Sequence, residues 1–285
     1  MKHAYLIISH NEFEVLEKLV QALDDERNDI FIHFDKKLKR HPVLRTLRAG
    51  LYLLKERVDI RWGHISLVKA EYALFEAAYS RGGYSYYHLL SGVHFPLKSQ
   101  DYIYNFFEGL KDKDVFTSVP NCDYQTEQKM RRYNFFVKNF MHKNCRIKQL
   151  DQFLWKVCLR IQKELHIYRH KGRSYKIASE WVSVTSSCVG YLLQIKKDVL
   201  RRYRFTLASD EFFIPSELSE SHLRDNMYYY DKLLKCDFEG SSSPRTYRLK
   251  DYEELLDSDC LFARKFSHTD MDIINKIFTH IVSES

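Results

Sequence analysis

The chain has 285 residues, 45% of them hydrophobic and 15% aromatic, enough to bury a large core, which excludes a disordered or low-complexity protein. Forty-five Lys and Arg against 38 Asp and Glu leave a formal charge of +7, which suits a polyanionic partner such as nucleic acid, a membrane surface or a phosphorylated small molecule. Six cysteines (Cys122, Cys145, Cys158, Cys188, Cys236 and Cys260) form no C-x-x-C pair, excluding a zinc ribbon or redox dithiol and pointing to reduced, mostly buried thiols in a cytoplasmic protein.

The opening apolar run, residues 4–8, is too short for a signal-peptide core, and no segment approaches the roughly 20 apolar residues that span a bilayer. A cytoplasmic protein is expected, soluble or peripheral on the inner membrane face. Residues 4–9 read as a buried strand, 11–22 as an amphipathic helix and 29–35 as a second apolar strand ending in charge. If the two strands are parallel, Ser9, His10 and residues 33–36 emerge together at their C-terminal ends, where open α/β sheets bind ligands. A helix is expected over 42–56, a strand over 58–62, a helix capped by Ser66 and running to 79, and a strand over 84–90 closed by Ser91-Gly92-Val93-His94-Phe95-Pro96-Leu97. A helix over 99–110 and a strand over 114–119 follow. This alternation predicts a mostly parallel sheet with helices on both faces and places the nucleotide-binding half in residues 1–120. No G-x-G-x-x-G follows the first strand and no G-x-x-x-x-G-K occurs, which argues against a dinucleotide oxidoreductase or a P-loop enzyme.

Residues 121–176 form a basic insertion of one or two amphipathic helices, with Trp155, Val157, Leu159, Ile161 and Leu165 set among cations. It reads either as a packed element with a solvated face or as a surface resting on anionic lipid. No nucleic-acid motif accompanies its charge. Residues 177–185 read as a strand and 190–200 as a helix. Next comes Ser209-Asp210-Glu211-Phe212-Phe213, where Ser209 caps a helix whose first turn holds both carboxylates. One of them, backed by buried aromatics at a cleft edge, can take a proton from a substrate hydroxyl. Beyond the turn Gly240-Ser241-Ser242-Ser243-Pro244, a helix over 251–256 leads to Arg264 and Lys265, framed by Leu261, Phe262, Ala263 and Phe266, and a last helix is capped near Thr269. A cation so framed either forms a salt bridge or, as Lys265 with Arg245 or Arg248, meets a diphosphate. Three D-x-D pairs begin at Asp112, Asp257 and Asp270. None follows a strand, so all read as solvated or capping carboxylates; His33 and Asp35 alone supply too few ligands, and no metal or other cofactor is assigned.

Six segments occur in the order found in the core-2/I-branching enzyme family. They are Ile32-His33-Phe34-Asp35-Lys36-Lys37, Trp62-Gly63-His64-Ile65-Ser66-Leu67-Val68, Leu90-Ser91-Gly92-Val93-His94-Phe95-Pro96-Leu97, Ala178-Ser179-Glu180-Trp181-Val182-Ser183-Val184-Thr185, Ser209-Asp210-Glu211-Phe212-Phe213 and Leu261-Phe262-Ala263-Arg264-Lys265-Phe266. The chain thus resembles branching N-acetylglucosaminyltransferases and peptide xylosyltransferases over nearly its whole length. The resemblance implies an α/β fold, GT-A-like and Rossmann-type, with a mixed sheet, in a single domain over 1–285 whose acceptor and catalytic half is 177–285. It implies inverting, metal-independent transfer of N-acetylglucosamine or xylose from a UDP-sugar to a glycan or lipid-linked glycan, in a bacterial relative serving surface-polysaccharide synthesis. Carried over by position, Glu211 resembles the catalytic base, Lys265 the diphosphate lysine with Arg245 or Arg248 as its partner, and Asp35 the nucleoside contact. Ser91, Gly92 and His94 stand in the donor-sugar loop, and Glu127, Trp181 and Asp210 on the acceptor side. Two residues depart from the pattern: His94 replaces the usual aspartate, and Glu180 a small polar or amide residue. The first motivates an alternative, a glycan-binding or scaffold protein that kept the fold and lost turnover.

Overall fold

The computed structural model describes residues 1–120, 123–240 and 243–283. In chain order it contains β1 (Lys2–Ser9), α1 (Phe13–Ala22), β2 (Asn28–Phe34), β3 (Gly50–Leu53), α2 (Ser66–Arg81), β4 (Tyr84–Ser91), β5 (His94–Pro96), α3 (Gln100–Gly109) and β6 (Asp114–Phe116). Then come α4 (Asp123–Met130), α5 (Cys145–Glu164), β7 (Ser183–Thr185), α6 (Ser186–Gln194), α7 (Lys196–Arg202), α8 (Phe213–Ser219), β8 (Met227–Tyr229), β9 (Leu234–Lys235), α9 (Tyr252–Asp257), β10 (Phe262–Arg264) and α10 (Met271–Ser283).

The larger sheet has the order β3-β2-β1-β4-β7-β6-β8. Its first four strands run parallel; β7 is antiparallel to both β4 and β6, and β8 pairs parallel with β6. β1 and β2 are buried almost throughout, which is why both read as continuous apolar runs. β2 flanks β1 on one side and β4 on the other, so the chain leaves β1 in two directions and opens a crevice at the strand C-termini. Ser9 lies opposite Phe34, and Ile8 opposite Ser91, which brings His10, Asp35 and Ser91 to that crevice. Gly92 allows the loop after β4 to close on β1, since a Cβ there would stand 2.7 Å from Ser9 Oγ. A small sheet of order β5-β10-β9 sets Arg264 opposite His94. One buried apolar cluster runs from Ala4 to Ile281, and a second, of Val137, Phe140, Leu207 and Ala208, underlies the insertion with Trp155 against it.

Several expected elements take another form. Residues 42–56 are not helical: the Asp24 carboxylate accepts N–H bonds from Leu47, Arg48 and Ala49 at 2.7 to 2.9 Å, and the chain then pairs with β2 as β3. Residues 58–62 join no ladder; Val58 gives its N–H to His33 Nε2 at 2.9 Å and receives that of Lys36 at 3.0 Å. Ser66 begins α2 without capping it, its hydroxyl accepting from Arg61 N. Ser209 caps no helix: a single 3-10 turn over Ser209–Glu211 follows Ala208, and α8 starts at Phe213. Ser99 does cap α3, whereas Ser267, not Thr269, caps the turn before α10. The strands expected over 114–119 and 177–185 shrink to three residues each, and the helix over 190–200 is split between α6 and α7. Among the described residues Cys145, Cys158, Cys188, Cys236 and Cys260 are free thiols, with Cys145 exposed; Cys122, Ser241 and Ser242 lie outside those residues.

One D-x-D carboxylate is neither solvated nor a cap. Asp114 is fully buried in β6, where Oδ1 accepts from Thr185 N at 2.8 Å and Thr185 Oγ1 at 3.0 Å, and that hydroxyl in turn caps α6. Burial pushes the carboxyl up to about 6, against the pull of the Thr185 bonds. A carboxyl that holds its proton more tightly in the fold contributes its full stability below the unfolded value of 3.8 and loses it as pH rises through about 6. Asp114→Asn keeps the acceptor oxygen and cannot ionise. It is expected to flatten the stability profile between about pH 4 and 7 and to gain about 1–2 kcal/mol over the parent at about pH 7.5. Urea unfolding across that range checks it; an unchanged slope would exclude this carboxyl as the source.

Candidate active site

The turn carrying the acidic pair is fixed from outside its own helix. Ala208, at φ 53°, donates its N–H to Gly63 O at 2.8 Å, and Phe212 and Phe213 are buried behind the turn. The two carboxylates diverge. Glu211 keeps 34% side-chain exposure, with Oε2 2.9 Å from Lys129 Nζ, and Lys129 also lies 5.6 Å from the Phe212 ring centre. Lys129 lines a cleft of about 940 Å³ together with Tyr124, Gln128, Trp155, Leu207 and Phe238. Glu211 does not itself line that cavity, which is large enough for an oligosaccharide segment, but pairs with Lys129 of its wall.

Asp210 turns inward and hydrogen-bonds to Glu180. Burial raises both carboxyls; the neighbouring Glu180 charge raises Asp210 further, while Arg264, 3.3 Å from Glu180 Oε1, restrains the rise in Glu180. A neutral Asp210 donating to a Glu180 carboxylate that Arg264 neutralises leaves no unpaired charge among the three, although Asp210 Oδ1 and Arg264 Nε have no hydrogen-bond partner among the described residues. Glu71, on the buried face of α2, is a third carboxyl held well above its ordinary value, first by burial and then by the Glu180 charge. Arg264 stacks 4.8 Å from the Trp181 ring centre, and Trp181 meets His94 edge-on at 4.8 Å. His94 is fully buried and kept neutral by burial and by the Arg264 charge; its Nδ1 accepts from Ser91 N at 3.0 Å.

On the other side of Arg264 lies the cationic end. Lys265 extends outward, with Nζ 2.8 Å from Ser243 Oγ. The segment 245–247 runs against it: Tyr247 N donates to Lys265 O at 2.9 Å and Lys265 N to Arg245 O at 3.4 Å. Arg245 is already engaged, donating to Glu254 at 2.6 Å and to Glu239 at 3.3 Å, and those acids raise its pKa. Arg248 is exposed and shares with Arg245 a separate hollow of about 280 Å³. Asp35, buried at the end of β2, accepts from Lys37 N at 2.8 Å and faces Lys37 Nζ at 2.7 Å. His10 at the crevice is pushed down by the atoms crowding its ring, opposed by Asp35 and reinforced by Lys37 and Arg264, so one electrostatic neighbourhood spans β1, β2 and β10.

Side-chain contacts link Lys129 to Glu211 and, separately, Asp210 through Glu180 to Arg264, with Trp181, His94 and Ser91 attached; Glu211 and Asp210, like Arg264 and Lys265, are joined only as neighbours in the chain. Glu127 does not join them: its carboxylate lies 2.6 Å from the buried Arg132 guanidinium, which also donates to Gln162 O and Ile167 O. Sequence reasoning named Lys129 only as a neighbour of Glu127 and overlooked Glu71. That residue carries a readable signal, since it shares an i, i+3, i+4, i+7 stripe with Val68, Tyr72 and Phe75, where a carboxyl must be buried. Among the described residues no group of three or more His, Cys, Asp or Glu side chains is disposed to hold a metal ion, and no helix is long and apolar enough to cross a membrane.

A part-parallel α/β sheet with its crevice at the strand C-termini, closed by a short second sheet that carries paired cations, is a GT-A-like arrangement. The Core-2/I-Branching enzyme family model matches residues 3–257, and the chain belongs to that family of glycosyltransferases. The match stops short of β10, so Arg264 and Lys265 lie beyond it. No curated protein matches the chain.

Proposed function

We propose that the protein transfers N-acetylglucosamine or xylose from a UDP-sugar to a glycan hydroxyl with inversion and without a metal ion, in bacterial surface-polysaccharide synthesis. The observation that carries this reading is the position of Glu211, a partly exposed carboxylate paired with Lys129 of the cleft wall, whose chain neighbour Asp210 contacts Glu180 and through it Arg264, the chain neighbour of Lys265. Lys129 holds Glu211 Oε2, so Oε1 receives the acceptor proton. The acceptor oxygen bonds to the anomeric carbon while the bond to the UDP oxygen breaks on the opposite face. Charge building on the diphosphate falls to Lys265. Asp35, at the end of β2, serves the nucleoside, and Ser91 and Gly92 border the donor sugar. Trp181 and Asp210 support the acceptor side from behind the base; Glu127 serves it only indirectly, by holding Arg132.

Lys265→Ala is expected to weaken UDP binding about tenfold, and Arg245→Ala less, because Glu254 and Glu239 already neutralise that arginine. Titration calorimetry with UDP in excess chelator measures both and tests metal independence at once. Unchanged affinity in Lys265→Ala would remove the lysine from this role.

Peripheral attachment to the inner membrane face belongs to the same reading and falls to α5. Leu150, Phe153, Val157, Ile161 and Leu165, three or four residues apart, leave one face of that helix apolar and exposed, with Phe153 at 62%. Residues 129–173 hold 13 Lys and Arg against 2 acidic residues, a formal +11 in a chain of +7, so the remainder is at −4. That asymmetry favours an anionic bilayer over a second copy of the chain. Phe153→Asp is expected to abolish co-flotation with phosphatidylglycerol vesicles while leaving the fold intact. A parent chain that ignores such vesicles and dimerises through this face would contradict the assignment.

A further inference from the structure

We propose that the cleft beside Glu211 takes an acceptor bearing an anionic group, a carboxylate or a phosphate, and that Lys156, Arg160 and Lys163 hold that group; this rests on the transfer reading above. The three cations sit four and three residues apart on α5, so they share one face, and all three line the cleft. Among the described residues no carboxylate lines the cleft with them, and none of the three has an ion-pair partner. Like charges at these spacings destabilise a helix unless something neutralises them. Lys129, the fourth cation of the cleft, is already committed to Glu211. A neutral glycan would make no use of the other three, whereas an anion bound between them would relieve their repulsion and orient the acceptor relative to the base.

The remaining walls suit a sugar. Tyr124 is 68% exposed and Phe238 58%, so both rings are open to stacking. Trp155 is fixed by its indole N–H to Asn134 Oδ1 at 2.7 Å and edge-on contact with Phe140 at 5.2 Å, which makes it a rigid wall between the cationic row and the insertion's own small core. These cations are distinct from the apolar residues of α5 assigned above to the bilayer, so the two surfaces can be tested separately.

The test compares two tetrasaccharides of equal length: one alternating glucuronate with N-acetylglucosamine, and neutral chitotetraose. Binding is read from tryptophan fluorescence, with Trp155→Phe isolating the cleft signal from Trp62 and Trp181. The charged sugar is expected to bind about tenfold tighter at low salt, an advantage that shrinks as salt is added and disappears in the double variant Arg160→Gln, Lys163→Gln. Pyrophosphate that displaces the charged sugar from the parent chain identifies phosphate as the natural group; failure to displace it identifies carboxylate. Equal affinity for the two sugars, no binding of either anion, or an advantage untouched by the double variant would each overturn the proposal. So would a double variant that loses only vesicle binding, which would assign these cations to lipid. Glu211→Gln should keep the preference, so failure of Glu211 as base and failure of the anion site remain distinguishable.

Discussion

Glu211→Gln is expected to lower the single-turnover rate of transfer about a thousandfold while leaving UDP affinity within about twofold of the parent. Glutamine keeps the shape of the side chain and an oxygen that can accept from Lys129 Nζ, so the cation is not released into the cleft. What it loses is the ability to take the hydroxyl proton. Because Glu211 is one-third exposed and its neighbour Phe212 carries the packing, little stability should change. The informative comparison is Asp210→Asn, one residue away. Asp210 is buried and already neutral, donating to Glu180, and an asparagine Nδ2–H replaces that donor. Its rate should therefore stay within about tenfold of the parent. If the glutamine variant turns over at a comparable rate, or if the asparagine variant is the one that fails, the base has been assigned to the wrong carboxylate. The scaffold alternative makes its own forecast, no transfer from any UDP-sugar by the parent chain. His94, whose departure motivated that alternative, is fully buried with Nδ1 accepting from Ser91 N, so transfer by the parent chain is what decides between the two readings.

Elements whose identity is set locally were legible in the sequence. β1, α1, β2, β4 and α3 follow from apolar runs and a 3.6-residue stripe, which act within a few residues, and the structure adds the Ser99 cap at the expected start of α3. The false helix over 42–56 failed for the opposite reason. Asp24 captures three backbone N–H groups some 23 to 25 residues away, and that tertiary bond set outweighs any helical period in the loop. The site divides in the same way. The Ser-Asp-Glu-Phe-Phe stretch was visible as an acidic pair on an aromatic backing, but not that one acid pairs with Lys129 of a cleft wall and the other joins a buried carboxyl cluster. Arg264 was readable as a cation in an apolar frame that needs a partner. That the partner is Glu180, 84 residues earlier, depends on β10 being brought beside β5 in the second sheet. The departure at Glu180 thus has a physical account: it is the anion that meets Arg264.

Replacing that arginine should expose the cluster. Arg264→Met replaces the guanidinium that lies over the Trp181 ring with an apolar thioether and removes the only cation facing Glu180 among the described residues. Breaking such a pair costs about 3–5 kcal/mol when fully buried; with side-chain exposures of 17% and 20% here, about 2–3 kcal/mol is expected at neutral pH and above. The loss should depend on pH in a defined direction. Without Arg264 only the Asp210 hydrogen bond restrains the rise that burial imposes on Glu180, and a raised carboxyl is fully favourable only below its unfolded value of 4.5. The deficit relative to the parent is therefore expected to be small near about pH 4.5 and larger at about pH 8, above the range in which an ordinary carboxyl titrates. Glu180→Gln added to Arg264→Met should recover most of it, because a neutral amide can still accept from Asp210 and needs no cation. Urea unfolding of the single and double variants at both pH values decides the matter. An equal deficit at the two, or no recovery by the amide, would mean that Arg264 stabilises the site by packing alone and that the carboxyl cluster beneath Glu211 is not held by charge.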